Sequence, residues 1–412
     1  MARLVLTNAN LLDGDAPAQA NRVVVVEGER IANVSDAPPS DVTAHDRVVD
    51  LGGRTVMPGM ITCHYHSTYR ELGSVPAPYG LEHPPAYQVL IAAENLRMAL
   101  ECGFTGAIGA GCSNDIDASM KRAIDDGLIP GPRFVPSGHE LSTTGHANDA
   151  NPWYWDLREW GAARCCDSAD EFRAAVRDEV KRGVEMVKLF VTGGHGVMAP
   201  KSRMEMTRDE LDAAVDAAHA RGARVRGHIV NKPAILAAIE AGVDVIDHAD
   251  EMDDECIERM VGAGSFVAPS CFLPTVILEA MGASTLGFAA SMRAELDRML
   301  EVLPKANAAG VKLVVGDDYG AVGFPHGRYA NELEVYVRDA GIAPLDVLRW
   351  ATVHGAELTG RGHEVGRVAP GYLADLLVVA GDPSRDITVL QDRDNLVAII
   401  KGGQLFKDTL AA

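Results

Sequence analysis

The chain has 412 residues, 47% apolar and 23% charged, which supports a sizeable core and excludes a disordered or low-complexity protein. Its formal charge of -20 opposes polyanionic partners and so excludes nucleic acid and anionic membrane surfaces. The start reads as a strand rather than a secretory leader, and no run approaches the roughly 20 apolar residues that cross a bilayer. Seven cysteines without C-x-x-C spacing suit a reduced, cytoplasmic protein.

Short β runs at 3–6, 22–26 and 55–57 open the chain, separated by Asn, Gly and Pro, and Met60-Ile-Thr-Cys-His64 follows. From about residue 86 one pattern recurs: a helix-like segment ends in glycine, a short apolar run follows, and a polar residue stands at the end of that run. The segment 87–101 stops at Gly103 before the run 105–109, and Arg133-Phe-Val-Pro136 comes next. Ser168-x-x-Glu171 predicts a capping box opening a helix that stops at Gly183, and Thr207-x-x-Glu210 repeats the device up to Gly222. The remaining runs are 184–191, 223–228, 243–248, 265–268 and 311–318. Eight strands alternating with helices predict a parallel sheet, and closure of eight such units predicts a (β/α)8 TIM barrel over 58–363, with an open doubly wound sheet as the rival. The runs at 374–379 and 396–403 read like those at the start. Residues 1–57 and 364–412 are therefore expected to pair into a small β-sandwich, since neither end has enough strands alone.

Within this pattern Lys188 interrupts an otherwise continuous apolar strand, Val184 to Val191. Parallel α/β barrels place strand C-terminal ends on one face, where active sites are built. Those ends carry His64 and His66, Lys188 within the fourth strand, His228, His248 and the pair Asp317-Asp318. Period-two alternation puts both imidazoles of His64-Tyr65-His66 on one side of an extended chain. Four imidazoles and a carboxylate around one centre predict a divalent metal site of zinc-like preference. The competing reading of Lys188 is a buried amine paired with Glu185 or an aspartate.

Pro58-Gly-Met-Ile-Thr-Cys-His-Tyr-His66, Val187-Lys-Leu-Phe190, Gly227-His228, Gly242-Val-Asp-Val-Ile-Asp-His248 and Gly316-Asp-Asp318 resemble, in order and separation, the metal-site motifs of the amidohydrolase superfamily. Gly371-Tyr-Leu-Ala-Asp-Leu-Leu-Val378 is similar to the superfamily's return into its β-sandwich. The resemblance implies that His64 and His66 bind a first ion, that His228 and His248 bind a second, and that Lys188 bridges them as a side chain carboxylated by carbon dioxide. It leaves open one or two ions, zinc being the expected metal, and makes Asp318 both ligand and proton shuttle. Burial favours a neutral lysine amine, the form that adds carbon dioxide. Two positions depart from the pattern: Thr62 stands where the superfamily usually has Asp, and Asp317 where it usually has Thr.

The chemistry implied is attack of metal-bound hydroxide on a carbonyl, with Asp318 carrying the proton to the leaving nitrogen, hence hydrolysis of an amide, urea or carbamate C–N bond. His146, in Ser142-Thr-Thr-Gly-His-Ala147, resembles a substrate-binding histidine of the superfamily that holds the carbonyl oxygen; His195 and His326 are further candidates, while His45, His219, His354 and His363 are expected to face solvent. Tyr69, Tyr79 and Tyr87, the Trp153-Tyr-Trp155 and Trp160 group, and an apolar loop over 271–278 favour a small apolar or aromatic substrate. The stretches Tyr69-Arg-Glu-Leu72 and 141–148 are similar to phenylurea and molinate hydrolases, with Xaa-Pro-type dipeptidases the nearest competitor. A dipeptidase would use a cation such as Arg70 or Arg328 to hold the substrate carboxylate. A deaminase of the superfamily would carry Glu where Asn231 stands, and a non-catalytic scaffold would have lost ligands. The apolar stretch at 271–278 suits a subunit interface as well as a lid, which leaves a homo-oligomer open.

Overall fold

The computed structural model describes residues 3–75, 77–197, 199–282 and 287–410. Strands β1 (Arg3–Leu11), β2 (Gln19–Glu27), β3 (Arg30–Ser35), β4 (Arg47–Asp50) and β5 (Thr55–Pro58) open the chain. They are followed by β6 (Met60–Tyr65), helix α1 (Pro85–Glu101), β7 (Phe104–Gly109), α2 (Ile116–Asp125), β8 (Arg133–Val135), β9 (Ser137–Ser142), β10 (Glu159–Trp160) and β11 (Ala163–Cys165). Alternation then continues through α3 (Ala169–Arg182), β12 (Met186–Phe190), α4 (Arg208–His219), β13 (Arg224–Ile229), α5 (Lys232–Ala241), β14 (Val245–His248), α6 (Asp254–Ala263) and β15 (Phe266–Ala268). Helices α7 (Phe272–Met281) and α8 (Gly287–Ala309), strand β16 (Lys312–Leu313), and finally β17 (Leu376–Val379), β18 (Leu396–Lys401) and β19 (Gln404–Asp408) complete the elements used below. Among the described residues no helix is long and apolar enough to cross a membrane.

The chain divides into two compact units, one of residues 1–62, 97–107 and 327–412, the other of residues 63–96 and 108–326. In the first unit both chain ends join one ladder, β19-β18-β17-β5-β1-β2-β3, with β4 on β1. The joint is the antiparallel pairing of β5 with β17, Thr55 opposite Val379 and Pro58 opposite Leu376. One apolar core, including Leu6, Val24, Val56, Leu376 and Ile400, is shared by both ends.

The second unit carries the sheet expected from the alternation, in the order β10-β11-β9-β12-β13-β14-β15-β16, parallel from β11 to β16 with β10 antiparallel on β11, while β6-β7-β8 form a further three-stranded ladder. Two backbone bonds reach past the ends of these ladders: Cys63 N–H donates to Val315 O at 2.6 Å and Cys112 N–H to Gly138 O at 2.9 Å. The helices begin and end where the capping residues require. Thr207 and Glu210 form the reciprocal box, Ser168 accepts from the Glu171 N–H, and Gly183, Gly242 and Gly264 close their helices in left-handed conformations.

Three expectations need correction. The third run, expected at 133–136, is only β8 and stops at Pro136, which has no N–H to donate; an unexpected strand, β9, follows it and is the one that pairs with β12. The eighth run keeps only Lys312–Leu313 as a strand, after which the chain bends at Gly316, φ +141°, so close to β6 that a Cβ there would sit 2.2 Å from the His64 nitrogen. The stretch 271–278 is no loop: it forms α7, with Phe272, Leu273, Pro274 and Leu278 buried. Its N-terminal N–H groups, of Phe272 and Leu273, are held by Asp317 Oδ2 at 2.9 and 3.1 Å, a cap supplied from 44 to 45 residues away in the chain.

Candidate metal centre

β12, β13 and β14 are aligned so that Lys188 lies opposite Arg226, Phe190 opposite His228, and His228 opposite Asp247. Alternation sends Lys188, Arg226, His228 and Asp247 to the same side, and all four are buried. His248 follows Asp247 and by alternation belongs on the opposite side. It reaches the same centre because φ turns positive, +73° at His248 and +56° at Ala249, a costly conformation for residues with side chains. Its ring lies 5.5 Å from that of His64 and 4.4 Å from that of His228, centroid to centroid.

The decisive geometry is at the end of β6. His64 Nε2 and His66 Nε2 are 3.2 Å apart, and Asp318 Oδ1 is 3.0 Å from the first and 3.2 Å from the second. His66 Nδ1 donates to Gly111 O at 3.0 Å and His64 Nδ1 lies 3.4 Å from Asp247 Oδ1. With protons on both Nδ1 atoms, two imidazole lone pairs and one carboxylate oxygen face one another with no hydrogen among them. Such a trio is repulsive without a cation. Ligands at ~2.0–2.1 Å around a tetrahedral zinc lie about 3.3 Å from each other, so the spacing fits an ion. His248 adds a second sign: both ring nitrogens are buried and unpartnered among the described residues. Burial drives the His248 and His228 pKa values well below the usual imidazole range, which keeps them neutral, as ligation requires.

Other expected residues fall into place unevenly. His195, His248 and Asp318 form a second trio with ligand atoms in reach of one another, where His228 was expected beside His248. His195 Nδ1 donates to Asp250 Oδ1 at 2.9 Å and Nε2 to Ser270 O at 3.1 Å, so both nitrogens carry protons; burial alone would lower its pKa, and Asp250 raises it to about 9. The cationic ring stacks on His248 at 3.9 Å. His228 lines the cavity, with Nε2 donating to Gly194 O at 3.0 Å. Lys188 Nζ donates to Asp247 Oδ2 at 2.7 Å, the ion pair that the sequence left open as its alternative role. Tyr69 stacks on His66 at 4.3 Å and donates its hydroxyl to Glu140. His326 donates from Nε2 to Tyr69 O, and burial lowers its pKa to about 3; it does not line the cavity. His146 is buried, with both nitrogens unpartnered among the described residues and its pKa lowered by burial, and it too is not among the cavity-lining side chains. Trp153 is 92% exposed and is not among the residues that line this cavity.

The cavity over the trio offers about 600 Å³, walled by Tyr69, Leu72, Tyr79, Phe190, Val197 and Leu273 around the polar floor of Lys188, Glu140 and Asp318. Three residues absent from the expected site carry much of its order. Arg226, fully buried, donates from Nε to Asp247 Oδ2 at 3.0 Å, from Nη2 to Asp247 Oδ1, and from Nη1 to Cys63 O and Gly109 O at 2.6 and 3.0 Å. Asp247 thereby joins Arg226, Lys188 and His64 in one buried network. Glu140 accepts from Tyr69 and from Asn148. Alternation from His228 points to Arg226; nothing in the period points to Asp247.

Residues 55–406 match the model of a family described as the amidohydrolase family. Ochratoxinase of Aspergillus niger is 28% identical over 442 aligned positions, covering 98% of this chain and 87% of that protein. A prolidase solved in complex with N-methylphosphonate-L-proline is 30% identical with a TM-score of 0.87, over 99% of this chain and all of that one. Phenylurea hydrolase B shares the fold, at 22% identity and a TM-score of 0.79, over 98% of this chain and 96% of that one.

Proposed function

Because the chain belongs to the amidohydrolase family, we propose that it is a hydrolase of C–N bonds, of amide, urea or carbamate type, in a small apolar or aromatic substrate. The observation that carries the reading is the convergence of two imidazole lone pairs and the Asp318 carboxylate at 3.0–3.2 Å. His64, His66 and Asp318 would hold a divalent ion, zinc by donor type, with His248, His228 and a carboxylated Lys188 completing a second position. When bound, the ion acidifies a water and polarises the scissile carbonyl. Asp318 takes the proton of the attacking water and delivers it to the leaving nitrogen; its side chain is 26% exposed to the cavity. Asp247 orients His64 through Nδ1, and Glu140 holds Tyr69 against His66. Closure of the two ladders into an eight-stranded barrel is supported by the Cys63–Val315 and Cys112–Gly138 bonds.

A dipeptidase reading meets a specific difficulty. Among the described residues no arginine lines the cavity, and Arg70 instead pairs with Glu94 at 3.1 Å on the surface. Asn231, the position that would be Glu in a deaminase, is occupied in capping α5 through the Ala234 N–H. The test is metal analysis of the purified protein followed by turnover of anilides, phenylureas, carbamates and dipeptides side by side. About one equivalent or more of zinc, with hydrolysis of the first three classes, is expected. Less than about a tenth of an equivalent, with no gain on adding zinc or cobalt, would overturn the metal-dependent reading. Preference for dipeptides would overturn the substrate class alone.

A further inference from the structure

Beside the metal cavity lies a second one, narrow and partly open to solvent, between α7 and α8. The two share His195, Gly196 and Leu273 as wall, so they are neighbours across a single layer of residues. The far wall of the second cavity is apolar. Ile277 comes from α7, and Met292 and Met299 lie seven residues apart on one face of α8. Three polar side chains interrupt this lining: His195, Glu295, whose Oε1 is held by Lys201 and Ser291, and Asp250. Asp250 is 1% exposed; its Oδ1 accepts from His195, but its Oδ2, also buried, has no partner among the described residues. A buried carboxylate oxygen left unpaired is unfavourable, and a ligand N–H would satisfy it.

We propose that the α7–α8 cavity is a substrate subsite which takes an apolar aliphatic or aryl-alkyl group next to an N–H donor, the N–H bonding Asp250 Oδ2 and the apolar group lying on Ile277, Met292 and Met299. The subsite rests on the C–N hydrolase reading and narrows its substrate class. Its ligands are secondary amides, ureas or carbamates bearing on the nitrogen a chain or ring several carbons long. Methionine suits such a wall, because its flexible thioether adapts to differently shaped apolar groups. His195 is the partition: locked by Asp250 and by Ser270 O, it separates the apolar pocket from the neutral imidazole of His248.

The probe is N-(3-phenylpropyl)acetamide, with 3-phenylpropyl acetate as the control that lacks the N–H. The zinc-loaded full-length protein, carrying Asp318→Asn to slow turnover and labelled at the methionine methyl groups with carbon-13, is titrated with each; Met292→Leu and Met299→Leu assign the two signals. Expected are saturable shifts at Met292 and Met299, at least about tenfold weaker binding of the ester, and at least about tenfold weaker binding of the amide to Ile277→Trp. In turnover, Ile277→Trp should raise KM for N-(3-phenylpropyl)acetamide at least about tenfold and leave that for N-methylacetamide within about twofold. Unmoved Met292 and Met299 signals, or an Ile277→Trp variant that treats both amides as the parent does, would overturn the subsite while leaving the hydrolase reading intact. Shifts at both methionines in a protein that hydrolyses no C–N substrate would support the cavity as a ligand site and remove the catalytic reading instead.

Discussion

Arg226 shows how much of the centre depends on a side chain that touches no substrate. Its guanidinium keeps a charge at every accessible pH and spends its donors on Asp247 and two strand carbonyls. Arg226→Met leaves the Asp247 carboxylate buried with only Lys188 and His64 near it, and the expected loss is roughly 3–5 kcal/mol, read from urea unfolding. Asp318→Asn keeps the shape of the trio but removes the proton carrier, so kcat should fall by about 10²–10⁴ with a much smaller change in KM. A kcat within about tenfold of the parent would deny Asp318 the proton-transfer role. Sequence reasoning reached His64, His66, His248 and Asp318 because histidine at strand ends is uncommon enough to stand out in number. It passed over Asp247 because alternation sends the neighbour of a ligand to the other side, and the backbone turn at His248 that defeats alternation has no signature in side-chain type. Glu140 was hidden for another reason: β9 reads Ser-Gly-His-Glu-Leu-Ser, too polar to be taken for a strand.

Among the elements, α7 is the clearest case of a helix whose start is set from outside it. Cys271 makes no side-chain cap, and Asp317 holds the first N–H groups instead. Asp317→Ala should cost about 0.5–2 kcal/mol and speed amide hydrogen exchange at Phe272 and Leu273 before it affects strands β12 to β14. This explains why α7 passed for a loop, since a local signal was absent. Behind β9, His139 Nδ1 lies 3.0 Å from both Asp115 Oδ1 and Glu179 Oε1, tying the strand to α3 and to the turn before α2. Burial alone would lower the His139 pKa, and hydrogen bonds to Asp115 and Glu179 raise it to about 10. A raised imidazole pKa stabilises the fold fully below the unfolded value of about 6.5, and that stabilisation disappears as pH rises through 10. The stability gap between the parent and His139→Gln should therefore be constant below about pH 6 and shrink steadily to pH 10. A gap independent of pH over that range would mean that His139 is neutral in the fold.

For the molecule as a whole, the residues proposed to bind metal lie in the second unit, whereas the ladder that joins both chain ends belongs to the first. Metal that binds only the folded state adds RT ln(1 + [M]/Kd), about 4 kcal/mol at a thousandfold excess over Kd. Chelation should lower thermal stability and raise hydrogen exchange in β12, β13 and β14 more than in β1, β2 and β17. Equal loss in both sets would mean that the units unfold as one. The alternation of strands and helices was legible end to end because each repeat carries its own caps and glycines. The pairing of the two chain ends was legible only as an incomplete sheet at each end seeking strands.

The Arg226–Asp247–Lys188 network has a further consequence for electroneutrality. With a free amine, the two cations of Arg226 and Lys188 balance the two carboxylates of Asp247 and Asp318. Uptake of carbon dioxide by Lys188 would reverse the sign of one member and leave the interior two charges short, the deficit that one dication fills. Bicarbonate in the buffer should then tighten zinc binding, and zinc should in turn retain the carbamate against acid, each acting as the other's counterion.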